Sequence, residues 1–399
     1  MDVALRLPTG IELFDKRMGS EKLKVMHLIT TSEIGGAEIQ LSRLLARMHH
    51  PAIQHSVVSL AKGGAMADLV QAHGARFYSL DMERGGLSLS LGPGILKLLA
   101  LIRTERPTVL QGWMYHANLL GLLIGKLAGV RSVFWNVRCA GMEMKYYPQL
   151  SRWVVRMLCW LSHFPRVIVT NSEAGRLAHV GMGYCSEVIK VIPNGFDLEH
   201  FRPDTTAREW LLKTVGFPRD TILIGLVARY DPMKGHETFL SAIKRVRSLY
   251  PHSRFVLCGK GADKENRRLV QRIAKERLQD DVVLLGLRCD IAKITAALDI
   301  ACSSSSFGEG FPNTIGEAMA CEIPCVVTDV GDSAAIVGTS GKVVPSCNAE
   351  AFAVALSDLI ACGPVARKKM GAEGRARITE YFEITRAASL YEELYLTHQ

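Results

Sequence analysis

Short apolar runs bounded by polar turns alternate along this chain with longer stretches whose apolar positions recur every three or four residues. Residues 24–30, 54–60 and 77–80 carry the first pattern and predict strands, while 37–48 and 66–73 carry the second and predict helices. The series runs on through a helix at 95–104, a strand at 109–111, a helix at 116–127 and strands at 132–136 and 167–171. It resumes with strands at 223–228, 254–258 and 282–284, helices at 238–250, 267–277 and 291–298, and a last helix at about 384–395. Such alternation builds a parallel sheet covered by helices on both faces, so the fold class is α/β. At 399 residues the chain exceeds what one core usually holds, which makes two such units the expectation. The polar, strandless stretch 199–208 predicts the linker between them. The expected division is an N-terminal extension at 1–23, a first domain at 24–200 rejoined by 380–399, and a second domain at 201–379.

The densest candidate chemistry lies in Phe307-Gly308-Glu309-Gly310-Phe311-Pro312-Asn313-Thr314-Ile315-Gly316-Glu317, where a glycine-rich loop leaves a buried strand ending at Cys302 and enters a helix. A helix start presents unpaired amides and a partial positive charge, a combination suited to phosphate. Glu317, one turn inside, would repel phosphate and suits a pair of sugar hydroxyls, as acidic residues do for ribose in dinucleotide folds. Glu309, on the loop, could serve a second sugar beyond the phosphates. Together these describe a nucleotide-sugar site. The same pair also reads as a solvated loop residue and a helix-start charge that complements the dipole. A second signal stands upstream: in 225–235 an apolar strand ends in Arg229, a proline turn follows, and Lys234 precedes a new helix. Arg229 can fork onto phosphate oxygens with Lys234 as a point charge beside it, although most such residues only solvate a surface.

Taken in order, Gly35-Gly36-Ala37-Glu38, His116, Asn194-Gly195, Arg229 with Lys234, Gly259-Lys260-Gly261 and the two glutamates with seven residues between them resemble the retaining glycosyltransferases of family 4, over about 24–395. The resemblance implies the GT-B architecture, two Rossmann-like domains facing across a cleft with the C-terminal helix crossing back to the first. It implies that Gly35, Gly36 and Ala37 close over the donor phosphates and that His116 hydrogen-bonds the transferred sugar. His116, Arg229, Lys234 and Glu309 would form the catalytic set; Gly310, Phe311, Pro312, Asn313, Thr314 and Glu317 would hold the donor, with its base near Gly259 and Gly261. Asn194 suits either a donor contact or the turn that opens the linker. Glu322 departs from a position where the family often has glycine, and Ala335 from one where many relatives carry glutamate, which bears on donor selectivity.

The activity so implied is transfer of a hexosyl or N-acetylhexosaminyl group, with retention, from a nucleotide diphosphate sugar to a lipid-linked or oligosaccharide acceptor in cell-surface polysaccharide or lipopolysaccharide biosynthesis. No Asp-x-Asp stands where a metal-dependent transferase needs one, and Asp280-Asp281 sits in a turn before a strand, so no metal and no cofactor are expected. No carboxylate is placed as a covalent nucleophile, so the family's front-face attack, with the departing phosphate assisting deprotonation, is the expected route. A sugar-nucleotide epimerase or phosphorylase of the same fold would need a further acid/base set or a pyridoxal lysine, neither of which is recognisable. A catalytically silent nucleotide-sugar-binding subunit would not need all of Arg229, Lys234, Glu309 and Glu317.

Charge adds a partner. The net charge of +9 divides into 23 Lys+Arg against 16 Asp+Glu over residues 1–205, or +7, and 25 against 23, or +2, over the rest. No aromatic-basic pattern or helix-turn-helix spacing points to nucleic acid, whereas an anionic membrane or a phosphorylated lipid fits the basic half. Between Met144 and Pro165, Lys145-Tyr146-Tyr147 leads into an apolar helix with Arg152, Trp153, Arg156 and Trp160, the tryptophans seven apart on one face. It reads either as a core helix with surface arginines or as an interfacial helix with tryptophans at head-group depth. The ten cysteines, without a CxxC pair, predict reduced buried thiols. No run of eighteen apolar residues occurs, and charges are mixed through 1–21, so the expectation is a cytoplasmic protein, peripheral on the inner face of the membrane.

Overall fold

The structure, a computed structural model, describes residues 22–31, 35–62, 64–82, 91–140 and 149–398. Residues 1–21 of the expected extension, and Lys145-Tyr146-Tyr147, lie outside the described residues. The chain builds β1 (Leu23–Ile29), α1 (Gly36–Leu45), β2 (Ile53–Ala61), α2 (Met66–Ala72), β3 (Arg76–Met82), α3 (Leu91–Glu105), β4 (Val109–Trp113), α4 (Tyr115–Leu127), β5 (Ser132–Val137), α5 (Gln149–Leu161), β6 (Val167–Thr170), α6 (Glu173–Gly181) and β7 (Ile189–Val191). These seven strands pair in parallel in the order β3-β2-β1-β4-β5-β6-β7. After α7 (Ala207–Val215) come β8 (Ile222–Val227), α8 (His236–Leu249), β9 (Ser253–Cys258), α9 (Arg267–Lys275), β10 (Val282–Leu284), α10 (Ile291–Ala296), β11 (Ile300–Ser303), α11 (Asn313–Ala320), β12 (Cys325–Thr328), α12 (Ser333–Val337), β13 (Gly341–Val344), α13 (Ala349–Ala361), α14 (Gly363–Phe382) and α15 (Ile384–Thr397). The second sheet is parallel too, in the order β10-β9-β8-β11-β12-β13.

Both sheets are buried on both faces, as their near-continuous Val, Ile and Leu runs require. On one face of the first sheet α3, α4 and α5 bury Leu98, Leu122, Val155 and Leu158; on the other, α1 and α2 bury Leu41, Leu44 and Val70. α15 joins that second layer, stacking Tyr391 on Trp113 at 6.3 Å and Tyr395 on Phe134 at 5.9 Å between ring centroids. The final helix therefore crosses back to the first sheet, as the family resemblance implied. The two passages of chain between the halves run side by side: the Phe196 amide donates to the Phe382 carbonyl at 2.8 Å and the Ile384 amide to the Phe196 carbonyl at 3.0 Å. Helix α7 begins at Ala207, inside the stretch 199–208 that polarity marks as linker. Glu322 takes a φ of 62°, the left-handed conformation that explains why glycine suits its position.

Candidate active site

In an open parallel sheet a crevice forms beyond the strand C-termini where the chain order reverses. The reversals here fall between β1 and β4 in the first sheet and between β8 and β11 in the second. The loops leaving those four strands hold the candidate residues: Gly35-Gly36, Met114 to His116, Arg229 to Lys234, and Phe307 to Thr314. The two crevices face each other and enclose one cleft of about 820 Å³, lined from both halves by Gly36, Ala37, His116, Arg229, Lys234 and the 307–314 loop among others.

The second half supplies the positive wall. Asp231 caps the short turn at 232–234, accepting the Met233 amide at 2.9 Å, and its other oxygen takes the Arg229 Nε at 3.2 Å. Gly235 then takes a φ of 62°, and a Cβ there would lie 1.9 Å from the Ser304 carbonyl oxygen, so only glycine lets this turn pack on the strand end that leads to the glutamate loop. That packing brings Lys234 Nζ onto Glu309 Oε1 as an ion pair, and Ser305 Oγ donates to the same oxygen at 2.7 Å. The pair is nearly enclosed, with side-chain exposures of 19% and 8%. Next to it α11 starts at Asn313 with no side chain capping its first amides, which leaves an anion-ready helix end on the cleft.

The first half supplies His116, in the first turn of α4, whose pKa burial lowers so that the ring is neutral near pH 7. The residue that starts this helix, Met114, holds φ 69° and ψ 169°, a conformation almost restricted to glycine; strain of this kind collects at binding sites. Arg138 and Cys139, just past β5, and Ser151, in the first turn of α5, complete this wall. Enclosure pulls the Arg138 pKa down, an effect opposed by Tyr391 and Glu38. Three contacts clasp the halves together. Asp332 accepts the amides of Glu173 and Ala174 at 2.8 and 2.9 Å across the cleft, Asn194 Nδ2 donates to Asn313 Oδ1 at 2.6 Å, and Arg43 pairs with Glu317 at 3.0 Å.

Of the residues the sequence singled out, Gly36, Ala37, His116, Asn194, Arg229, Lys234, Glu309 and Gly310 to Thr314 line the one cleft. Phe311 does so mainly through its backbone, because its ring packs on Phe196 and Phe382. Gly35 precedes α1 without lining the cleft, and Gly259 and Gly261 lie behind Arg229, where a Cβ on Gly259 would meet the Ala228 carbonyl at 2.3 Å. Glu317 faces α1 through Arg43, outside the cleft lining, and Ala335 stands on α12, also outside it. Asp281 pairs with Arg247 at 2.7 Å and Arg254 at 3.4 Å away from the cleft. Sequence reasoning passed over Arg138, Tyr115, Asn171 and Asp231. The signal for Arg138 was the one that found Arg229, a basic residue closing an apolar strand run.

Residues 34–200 match the family described as Glycosyltransferase Family 4, and residues 221–362 match the family described as Glycosyl transferases group 1. The chain belongs to these glycosyltransferases. The transferase is 26% identical over 326 residues to the UDP-Gal:alpha-D-GlcNAc-diphosphoundecaprenol alpha-1,3-galactosyltransferase of Escherichia coli, covering 77% of this chain and 82% of that one. It is 31% identical to the D-inositol 3-phosphate glycosyltransferase of Corynebacterium urealyticum over 206 residues, 49% of this chain and 48% of the relative. Among solved structures, Anabaena HepE in complex with UDP and glucose superposes with a TM-score of 0.80 at 22% identity, covering 94% of the transferase and all of that chain. The sucrose-phosphate synthase of Thermosynechococcus elongatus superposes at 0.76 with 18% identity and 94% and 98% coverage, and both likenesses are of GT-B fold.

Proposed function

We propose that this glycosyltransferase moves a hexosyl or N-acetylhexosaminyl group, with retention and without a metal ion, from a nucleotide diphosphate sugar to a lipid-linked acceptor in cell-surface polysaccharide biosynthesis. The observation that carries the reading is the meeting of Lys234, Arg229 and the uncapped start of α11 on one side of a cleft whose other side presents His116. Two cations and a helix end are preorganised donors for the charge that develops on a leaving diphosphate. Glu309, oriented by Lys234 and Ser305, faces the sugar, and the neutral His116 serves a sugar hydroxyl. Glu317 takes the ribose once the entering nucleotide displaces Arg43. The likeness to a UDP-galactose-dependent enzyme with a diphosphoundecaprenol-linked acceptor favours a UDP-sugar and a lipid carrier. The test is a thermal-shift panel of UDP-, GDP-, ADP- and CMP-sugars in EDTA. One nucleotide class at a hundredfold excess over its Kd should raise the midpoint by about 5 °C through roughly 2.7 kcal/mol of linkage, and Glu317→Ala should abolish the rise. Silence from all four classes would overturn the donor assignment.

The acceptor reading has its own support on the helical layer outside the first sheet. On and just after α5, Leu150, Trp153, Met157, Trp160 and Phe164 recur at intervals of three and four residues and are all exposed, Trp160 by 84%. Between residues 91 and 166 the described chain holds nine Lys and Arg (97, 103, 106, 126, 131, 138, 152, 156 and 166) against one carboxylate, Glu105. Of the two readings of this helix, the interfacial one fits such exposure: an amphipathic helix with tryptophans on one face and cations around it lies in an anionic membrane surface. In co-sedimentation, vesicles of phosphatidylglycerol and phosphatidylcholine should capture the protein and pure phosphatidylcholine should not. Trp153→Ser with Trp160→Ser should weaken capture at least tenfold; unchanged capture would remove the membrane from the account.

A further inference from the structure

Among the residues that the first half contributes to the cleft lining, Arg138 is the one Lys or Arg. Its side-chain hydrogen-bond partners, Asn136, Asn194 and Tyr391, are neutral. The guanidinium donates to the side-chain oxygens of Asn136, at 3.4 Å, and Asn194, and lies over the Trp113 ring at 5.3 Å. Among the described residues no carboxylate stands within ion-pair distance of it, although Glu38 attracts it through space. Withdrawing a charge from water is costly, and carboxamide oxygens do not neutralise it. The ring and the two asparagines fix the fork's position without a carboxylate in direct contact, which is the condition of a site that can take an anion. Beside it stands the start of α4, a helix of 13 residues whose first amides no side chain caps.

The donor's anionic part already has its partners on the opposite wall, Arg229, Lys234 and the start of α11. A second, separate positive centre on the first half calls for a second anion. Cys139 and Ser151 continue the lining from Arg138 toward α5, where the exposed apolar stripe begins at Leu150. We propose that Arg138 binds the phosphate or diphosphate of a phosphorylated acceptor, placing the acceptor's sugar toward His116 and whatever follows the phosphate toward α5. This rests on the glycosyltransferase reading of the cleft and deepens it by assigning the acceptor's anion to one residue.

Calorimetric titration of the full chain tests it, with and without saturating UDP, using farnesyl diphosphate, inorganic pyrophosphate and farnesol as probes. Arg138→Met is expected to weaken farnesyl diphosphate by 10- to 30-fold and to leave UDP affinity within twofold. Farnesol binding should not respond to the substitution. If pyrophosphate binds the wild type as tightly as farnesyl diphosphate and loses the same factor, the anion belongs to a soluble phosphorylated acceptor; if only farnesyl diphosphate binds, it belongs to a lipid. Asn194→Asp guards against a folding artefact. It gives the guanidinium an internal counter-ion, and the Asn313 carboxamide, which now accepts from Asn194, can turn to donate to the new carboxylate, so the protein should remain folded while the anionic probes weaken by the same order. An equal loss of UDP affinity in Arg138→Met would assign the residue to the donor and overturn the proposal, as would anionic probes that bind neither protein or bind both alike. Failure of the wild type to bind UDP would instead strike the donor reading, with the dependence on Arg138 still legible in the titrations without UDP.

Discussion

Lys234→Met is expected to lower kcat/KM for sugar transfer by at least 100-fold and to destabilise the fold by about 3 kcal/mol, with Glu309→Gln affecting the rate as severely and the stability less. Both effects come from one ion pair with little access to water. Lys234 ends the turn that Asp231 caps, the Lys234 carbonyl accepts Ser304 Oγ at 2.9 Å, and the Ser306 amide donates to the Met233 carbonyl at 2.8 Å, so the basic turn and the glutamate loop are stitched into one unit. Removing the cation leaves the Glu309 carboxylate enclosed with Ser305 as its remaining side-chain donor, and an uncompensated buried charge costs roughly 3–5 kcal/mol. The rate effect is separate, since loss of one preorganised electrostatic group typically costs about 10²- to 10³-fold. The double variant Lys234→Met with Glu309→Gln separates the two. It should recover most of the stability, because neither charge is then stranded, and none of the activity. Thermal midpoints and kcat/KM on the four proteins of this cycle decide the matter. A double variant that regained transfer along with stability would reduce the pair to a structural clamp.

The cleft was legible because its loops obey local rules. An apolar run ending in a cation, a proline turn, a lysine before a helix, and glycines before a helix start are all short-range signals, and parallel-sheet topology then gathers them at the two reversal points. What escaped was non-local. Arg43 and Glu317 are 274 residues apart, and nothing near Glu317 in sequence says that a helix of the other half will neutralise it. Asp332 capping α6 across the cleft is the same kind of event. Helix α14 escaped for a different reason: Gly363, Gly371 and Gly374 and its many charges lower its helix propensity and blur its apolar face. The structure gives those glycines a use. A Cβ on Gly371 would lie 1.8 Å from the Glu322 carbonyl oxygen, so the residue that weakens the helix in isolation is what lets it pack against the end of α11. β7 is three residues long and its middle position is Lys190, too little apolar pattern to register, whereas β10, equally short, is an unbroken Val282-Val283-Leu284 run and was legible.

Stability should fall steeply between pH 6.5 and 4, the loss setting in above the range in which surface carboxylates protonate. His27 and His55 sit side by side on β1 and β2, their rings stacked at 5.4 Å and joined by a 3.1 Å hydrogen bond between His27 Nε2 and His55 Nδ1, while Trp113 donates to His27 Nδ1 at 3.2 Å. Since His27 Nδ1 accepts from Trp113, its Nε2 carries the proton and donates to His55 Nδ1, so the two rings bond each other in their neutral forms, with His55 Nε2 buried and unpartnered. Burial lowers the His27 pKa well below the ordinary value and takes His55 down to about 4. His236, at the start of α8, is likewise held at about 4, first by burial and then by the neighbouring Lys234, against a smaller opposing pull from Asp231. The sign follows from linkage. In the unfolded chain each histidine takes up a proton near pH 6.5; in the folded protein His55 and His236 do not do so until about pH 4, and burial opposes protonation of His27 in the same direction. The stabilisation is therefore fully present above pH 6.5 and is lost as the pH falls toward 4, by about 1.4 kcal/mol per pH unit per histidine and roughly 3 kcal/mol each for His55 and His236. Neither nitrogen of His236 has a protein hydrogen-bond partner, so His236→Phe removes a titrating group while giving up no such bond. The variant should lose one proton's worth of slope in a plot of unfolding free energy against pH, and stand level with or above the wild type at pH 5. A slope unchanged by His236→Phe would mean that the ring ionises in the folded state and that its burial does not govern acid stability.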